Sequence, residues 1–385
     1  LRERVKDRDY LPRLIRRLLL DNPHRVRLLV TPDTGLSASR ESAETARLAE
    51  MKENLSSEHT AEILDLAERL RARQGQKDDP DVLPRVALSD IPAETASPEP
   101  VIESGASTHY CYTTGTNGLV YQQWVSPLPA LTATEQQHLP LVTALMPEVG
   151  VGNLNYLDTQ ERHSATVGSL SASVSSRAHR GNEQNSDSFF VLSSKALADR
   201  LQPQLELMSD TLQAARFDES SRIRDLVSQM RARRDQGITG SGHALAMTAA
   251  CAGMSPLAKR GHEQGGLEGI RTLRALDDVL KDEGELDAFA HSLRAIHQKL
   301  AGAGAPLLCT VADDPNIQSA SEAAAQCAGA LPTNSHNGIA LEPVRSAIQE
   351  IWVTNTQVNF CAKAYPTVPS GHPDAPALSV LAAFL

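Results

Sequence analysis

The sequence is poor in aromatic residues, in positive charge and in long apolar runs. Phe, Trp and Tyr make up 4% of its 385 residues, which is too few for a surface that stacks nucleic-acid bases. Its formal net charge is −10, so neither nucleic acid nor an anionic membrane surface is expected as a partner. No apolar run reaches the roughly 20 residues that span a bilayer. We therefore expect a globular protein that binds neither nucleic acid nor membranes.

Cysteine is also scarce, and its spacing is uninformative. The five cysteines are an odd number and form no C-x-x-C pair, which favours reduced, mostly buried thiols in a cytoplasmic-type compartment. The length allows two or three domains. The first residue is Leu1 rather than Met, so we expect a segment of a longer polypeptide.

The first part of the chain reads as a helix, a strand and two further helices. An amphipathic helix from Tyr10 to Leu20 ends at Asn22-Pro23, and the apolar run Val26–Val30 predicts a mostly buried strand. Residues 37–55 and 57–74 carry narrow, alanine-rich apolar stripes, which predict a helical hairpin. A segment rich in Pro, Ser and Glu follows at residues 93–108 and predicts a flexible linker.

Beyond the linker, strands and helices are mixed, which predicts an α+β fold with antiparallel strands. Leu170, Ala172 and Val174 alternate with serines, as in a half-buried antiparallel strand. Further strands are predicted at 116–125, 189–192 and 306–311, and helices at 139–146, 197–212 with a break at Pro203, 218–237, 243–252, 266–280, 285–301 and 319–328.

A weak internal repeat connects the middle of the chain with its end. A strand after Thr116-Asn117 precedes an apolar helix, and a predicted strand Val358–Ala364 after Thr354-Asn355 precedes the apolar helix 375–385. The repeat predicts a complete unit at about 109–335 and the beginning of another at 336–385.

Several segments, in this order, resemble the presequence-protease branch of the pitrilysin and insulin-degrading zinc peptidases. They are Asn22–Val26 (NPHRV), the hairpin, Leu83–Pro92 (LPRVALSDIP), Thr116–Tyr121 (TNGLVY) and Ser241–His243 (SGH). The resemblance implies pitrilysin-like (LuxS/metalloenzyme-like) units of antiparallel sheet with helices on one face. It divides the chain into the tail of one unit (1–36), the helical hairpin linker (37–92), the flexible linker (93–108), a complete unit (109–335) and a truncated next unit (336–385).

The zinc-binding motif of that family, H-x-x-E-H, is absent from the sequence. The corresponding helix carries Leu141-Val142-Thr143-Ala144-Leu145, none of which is a metal ligand in this setting. The resemblance therefore implies a non-catalytic region of a zinc metallopeptidase, with zinc held by an N-terminal domain of the parent protein. It would help to enclose a chamber around short unfolded peptides, with the remaining domains of the same polypeptide and those peptides as partners. The alternative is an inactive binding or assembly subunit of the same family.

Other polar residues in the sequence fit structural roles better than catalytic or metal-binding ones. Ser241 before an apolar helix fits an N-cap better than a catalytic serine beside His243, because no G-x-S-x-G motif surrounds it. His262 has no neighbours at ligand spacing, and His291 and His297 lie on different faces of one predicted helix. Asp313-Asp314 fits a turn at a strand end, and the basic run 230–236 fits a solvated helix end. We expect no catalytic, cofactor-binding or metal-binding residue in this chain, although a hydrolase with an unrecognised site remains a third hypothesis.

Overall fold

The computed structural model describes residues 2–31, 33–94, 98–105, 107–304, 306–332, 339, 341–354 and 358–384. The chain divides into two compact units, Leu1–Thr95 and Ala96–Leu385. The division falls within residues 93–108, the segment rich in Pro, Ser and Glu.

The first unit is helical, and none of its described residues is buried. It contains α1 (Arg2–Val5), α2 (Tyr10–Ile15) continued by a π-helix (Arg16–Leu20), α3 (Leu36–Glu53) and α4 (Ser57–Gly75). The Ser56 hydroxyl accepts a 3.1 Å hydrogen bond from the amide of His59 and so caps α4. The predicted helices at 37–55 and 57–74 are present, whereas their packing as a hairpin stays a prediction.

The predicted strand Val26–Val30 is wrong. These residues are irregular, and Val26 is 95% exposed. High β-propensity reflects how well a side chain fits a paired, half-buried surface, so it does not form a strand by itself. In the described part of the chain, no strand pairs with this segment.

The second unit is built on one six-stranded sheet of order β1-β2-β6-β3-β5-β4. The strands are β1 (Val101–Ser104), β2 (Thr108–Thr113), β3 (Leu119–Pro127), β4 (Ser169–His179), β5 (Asn182–Leu197) and β6 (Leu307–Ala312). All neighbouring pairs are antiparallel except β2 and β6, which are parallel. Asn117 (φ 53°) and Gly118 (φ 78°) form the left-handed turn into β3. The α+β class and the predominantly antiparallel sheet are confirmed.

Ten further α-helices are described in this unit, besides a short 3₁₀-helix at Ala198–Arg200. They are α5 (Ala133–Leu145), α6 (Tyr156–Thr166), α7 (Leu201–Ala214), α8 (Ser220–Gly240), α9 (Gly242–Cys251), α10 (Pro256–Gly265), α11 (Leu267–Val279), α12 (Glu283–Ala301), α13 (Asp314–Gly329) and α14 (Ala375–Phe384). No described helix is both long and apolar enough to cross a membrane.

The hydrophobic core lies between these helices and one face of the sheet. Trp124 of β3 and Leu192 of β5 are paired across strands and point into it. Leu139 of α5, Met208 of α7 and Leu293 of α12 pack in the same cluster. Burial along β3 alternates strictly, so the other face of the sheet carries its less buried residues.

Four details differ from the sequence-based predictions. Val358–Ala364, predicted as a strand, is irregular, and the described six-stranded sheet does not include it. Pro203 does not break a helix, because α7 begins only at Leu201 and Pro is tolerated in a first turn. Asp218 does not cap α8, because it pairs with the Arg216 side chain and Glu219 occupies the N-cap position. The same helix continues through Gly237 to Gly240.

Candidate functional site

Helix α5 occupies the position at which the resemblance would place the zinc motif. Thr132 and Glu135 form a capping box at its start, and Glu135 also forms a 2.7 Å ion pair with Lys299 of α12. Its inner face is buried through Leu139, Val142 and Leu145. Packing fixes this helix in place, and residues 141–145, at the position of the motif, offer neither a metal ligand nor a general base.

The backbone after α5 is held by a carboxylate from a distant part of the sequence. Glu219, at the start of α8, accepts hydrogen bonds from the amides of Gly150 at 2.7 Å and Tyr156 at 3.0 Å. A Cβ at Gly150 would lie 2.4 Å from the carbonyl oxygen of Leu154. Only glycine fits this close approach.

The second feature is the face of the sheet that does not point into the core, which we call the open face. Along β3, Tyr121 and Gln123 are exposed, and Leu307 on the neighbouring β6 is 37% exposed. Half-buried residues with apolar or aromatic side chains continue this face across the sheet: Tyr110, Tyr112, Val125, Cys309 and Val311. The open face thus presents both apolar and polar side chains.

On the opposite, buried face lies a chain of polar side chains. The Gln122 amide nitrogen donates to the carbonyl oxygen of Ala320 in α13 at 3.4 Å. The Gln122 amide oxygen accepts from the Thr310 hydroxyl at 2.9 Å, and the same hydroxyl oxygen lies 2.8 Å from Nε2 of His109. Nδ1 of His109 is buried and has no hydrogen-bond partner.

Two further ligand-type side chains lie beside His109. One potential ligand atom from each of Glu103, His109 and Cys111 lies within 4.8 Å of the others. Glu103 on β1 is directly opposite His109 on β2, and Cys111 follows two residues later on the same face. Sequence reasoning missed this group because it looked for ligand pairs in motifs and at helical spacing. The His-x-Cys pair was visible, but the position of Glu103 depends on the register of the strands.

The pKa values in this group follow from burial and from the acidic neighbour. Burial lowers the pKa of His109, an effect that the charge of Glu103 partly opposes. Burial and then the charge of Glu103 raise the pKa of the Cys111 thiol. His109 is therefore a neutral imidazole at pH 7, the form in which histidine binds metals.

The candidates weighed in the sequence are dispersed through the unit. Ser241 occupies the N-cap position of α9 but makes no capping hydrogen bond through its side chain, and His243 is exposed. His262 is buried, with Nε2 3.7 Å from a Glu350 oxygen. His297 is buried in the core.

Other sequence candidates have structural partners. Asp313 accepts from the amide of Gly118 at 2.8 Å, which ties the start of α13 to the turn before β3. Within the basic run, Arg231 pairs with Asp277 at 2.8 Å. Both observations agree with structural roles.

A groove of about 1780 Å³ is lined by α9, α11 and residues 345–354 and 358–370, which form neither helix nor strand. Trp352 of that segment packs edge-on to His262 with the ring centroids 5.9 Å apart, and the Arg271 guanidinium lies 5.3 Å from the Trp352 ring centre. The cysteine and histidine residues that line this groove do not come together as a ligand group in the described part of the chain.

Comparison with known proteins identifies the group to which the sequence is related. Residues 30–276 match the family model for the region associated with peptidases of family M16, subfamily C. The sequence is 26% identical over 364 residues to presequence protease 1, chloroplastic/mitochondrial, of Arabidopsis thaliana, which covers 93% of this chain and 33% of that protein. It is 28% identical over 272 residues to the mitochondrial presequence protease of Danio rerio, covering 70% of this chain and 26% of that protein. The chain thus spans about a quarter to a third of the length of these curated relatives.

Solved structures give a more distant likeness. A peptidase M16 inactive domain from Pseudomonas fluorescens is 17% identical with a TM-score of 0.41, covering 64% of this chain and 54% of that one. Pitrilysin is 18% identical with a TM-score of 0.41, covering 63% of this chain and 24% of that one.

Proposed function

The chain belongs to the family of regions associated with subfamily C of the M16 peptidases, and on that premise we propose that it forms part of the wall of a chamber that encloses short unfolded peptides. Such a region is a non-catalytic part of a larger polypeptide. The zinc of such a peptidase would be bound by a domain that carries H-x-x-E-H. The residues of α5 do not fit that ion, because the positions corresponding to the motif hold Leu141–Leu145. No step of peptide cleavage is therefore assigned to them.

The observation that carries the proposal is the asymmetry of the sheet. Helices and the core cover one face, while the open face presents Tyr121, Gln123 and Leu307 to solvent. A surface that mixes apolar side chains with polar ones can contact many different sequences, because burial of apolar area is not directional. A wall of this kind selects for an accessible, unfolded chain rather than for one side-chain sequence.

Enclosure is the contribution that such a wall makes to catalysis. Closing a reaction space removes water from it and holds the substrate near the reacting groups, and neither effect requires a reacting group on the wall. A rigid sheet suits this role, since a surface that keeps its shape loses little conformational entropy when a peptide binds.

The proposal is tested by measuring, with fluorescence anisotropy, how tightly the chain binds an unstructured peptide. Tyr121→Thr and Leu307→Thr remove apolar area from the open face and keep a residue with good strand propensity. We expect the double variant to weaken binding by about tenfold, equivalent to about 1.4 kcal/mol. Val279→Thr, which changes an exposed residue on α11, serves as the control and should leave the affinity unchanged. Equal effects of both changes would contradict the proposal.

A further inference from the structure

The hydrogen-bond chain beneath the sheet fixes the protonation of His109. The carbonyl oxygen of Ala320 can only accept, so the Gln122 NH₂ group must face it and the Gln122 oxygen must face Thr310. The Thr310 hydroxyl uses its one proton on that oxygen. Its own oxygen then accepts from His109, so Nε2 of His109 carries the ring proton. Nδ1 is left with a lone pair.

That lone pair has no partner in a well-packed interior. His109 is 2% exposed, and its Nδ1 makes no hydrogen bond. A buried polar atom without a partner is costly and calls for an explanation in terms of strain, a ligand or a catalytic role. The neighbouring side chains supply a ligand-based explanation, because a ring nitrogen of His109, the Cys111 thiol and the Glu103 carboxylate have donor atoms within 4.8 Å of one another.

We propose that Glu103, His109 and Cys111 form a binding site for a divalent transition metal. An imidazole nitrogen, a thiolate and a carboxylate oxygen are the donor set that zinc prefers, and they exclude calcium and magnesium, which take oxygen ligands. Donor atoms around tetrahedral zinc are roughly 3.5 Å apart, as follows from metal–ligand bonds of about 2.0 to 2.3 Å. Small side-chain rotations, above all of the exposed Glu103, would bring the three donor atoms to that spacing.

The surroundings match those of metal-bound histidines. A ligating histidine usually donates its other ring N–H to a second group, which fixes its orientation and tautomer. Thr310 and Gln122 do this for His109. The Cys111 thiol, whose pKa is raised in the metal-free protein, would give up its proton to solvent as the metal–sulfur bond forms. Glu103 is exposed, so a fourth position on the metal can take a water molecule.

A metal at this site would stabilise the edge of the sheet. Glu103 belongs to the outermost strand β1, while the histidine and cysteine belong to β2. A metal bound to all three ties this hairpin together, and it stabilises the folded state because the unfolded chain has no preformed site.

Titration of the metal-free 385-residue chain with Co²⁺ tests the proposal. We expect one Co²⁺ per chain, a thiolate-to-cobalt charge-transfer band in the near ultraviolet, displacement by Zn²⁺, and a higher melting temperature with Zn²⁺ present. Cys111→Ser should abolish the band, and Glu103→Gln, a change at an exposed position, should weaken Co²⁺ binding at least about tenfold. Circular dichroism confirms that each variant is folded.

Two matched pairs make the test specific. Cys309→Ser changes a thiol on the adjacent strand β6 that points to the open face, and it should leave the band unchanged. Thr310→Val removes the acceptor for His109 Nε2 and should weaken Co²⁺ binding about 10- to 100-fold, whereas Thr310→Ser should retain it. The proposal is overturned if the wild-type chain gives no band, if the band survives Cys111→Ser, or if Glu103→Gln leaves the affinity unchanged.

Discussion

The carboxylate of Glu219 accepts a 2.7 Å hydrogen bond from the amide of Gly150, 69 residues earlier in the sequence. Its other oxygen accepts from Tyr156 at 3.0 Å. One side chain at the start of α8 therefore fixes the turn after α5 and the start of α6. In our interpretation, α5 is a purely structural helix at the position that a catalytic helix occupies in an active unit.

Glu219→Ala should destabilise the unit by about 1.5 to 3 kcal/mol, because two partly buried amides lose a charged acceptor. The midpoint of urea unfolding measures this loss. Glu206→Ala is the control, since that carboxylate accepts from the exposed Gln202 side chain, and its effect should stay within about 0.5 kcal/mol. Similar losses from both variants would show that the Gly150 contact contributes nothing.

Gly150→Ala and Gly237→Ala should change stability in opposite directions. The new methyl group at residue 150 would collide with the Leu154 carbonyl oxygen, at a cost of about 1 to 3 kcal/mol. At Gly237, inside α8, a Cβ meets nothing within 4 Å, so alanine should stabilise by about 0.5 to 1 kcal/mol. Thermal unfolding of the two variants measures both signs. A neutral Gly150→Ala variant would mean that this backbone can move apart at little cost.

Local sequence signals predicted most elements of the second unit, because these signals act within one element. They did not predict β1, β2, α6 or α10, and β1 lies within residues 93–108, which were predicted to be a flexible linker. The serine and apolar alternation at Leu170–Val174 predicted β4, and the apolar pattern at 285–301 predicted α12, which the structure places at Glu283–Ala301. The strands predicted at Val26–Val30 and Val358–Ala364 failed for the opposite reason. A strand depends on a partner, and sequence periodicity does not identify one.

The candidate metal group could not be predicted for the same reason. His109 and Cys111 share a face through the period of a strand, which is a local property. The pairing of Glu103 with His109 and the parallel pairing of β2 with β6, which brings Thr310 to His109, are set by tertiary structure. The absence of the zinc motif, by contrast, could be established from the sequence alone.

Folding stability should fall as the pH drops below about 6.5, the usual pKa of histidine. Burial lowers the pKa of His297, partly opposed by hydrogen bonds with the backbone at Thr211 and Leu212. Above a pH of about 6.5 both the folded and unfolded states hold this residue neutral, so its contribution is fully present. As the pH falls, the unfolded state takes up the proton first, and the contribution is lost as the pH passes through the folded-state pKa.

Urea unfolding between about pH 8 and pH 5 measures this dependence. His297→Gln should reduce the slope of unfolding free energy against pH by up to about 1.4 kcal/mol per unit below about pH 6.5. At the upper end of that range, where the histidine is neutral in both states, the same variant reports the packing change alone. An unchanged slope in the variant would exclude His297 as a source of acid sensitivity.

Photo-crosslinking tests the central claim, that the chain is a non-catalytic wall that contacts unfolded peptides, most directly. The chain is mixed with an unstructured peptide that carries a photoreactive group, irradiated, and analysed by mass spectrometry. The account predicts adducts with the mass of the intact peptide, concentrated on the open face near Tyr121, Gln123 and Leu307. Adducts of shortened peptide would show that the chain cleaves peptides by itself. Adducts confined to the outer surfaces of the helices would place the peptide on the opposite side of the sheet. Either result would contradict the account.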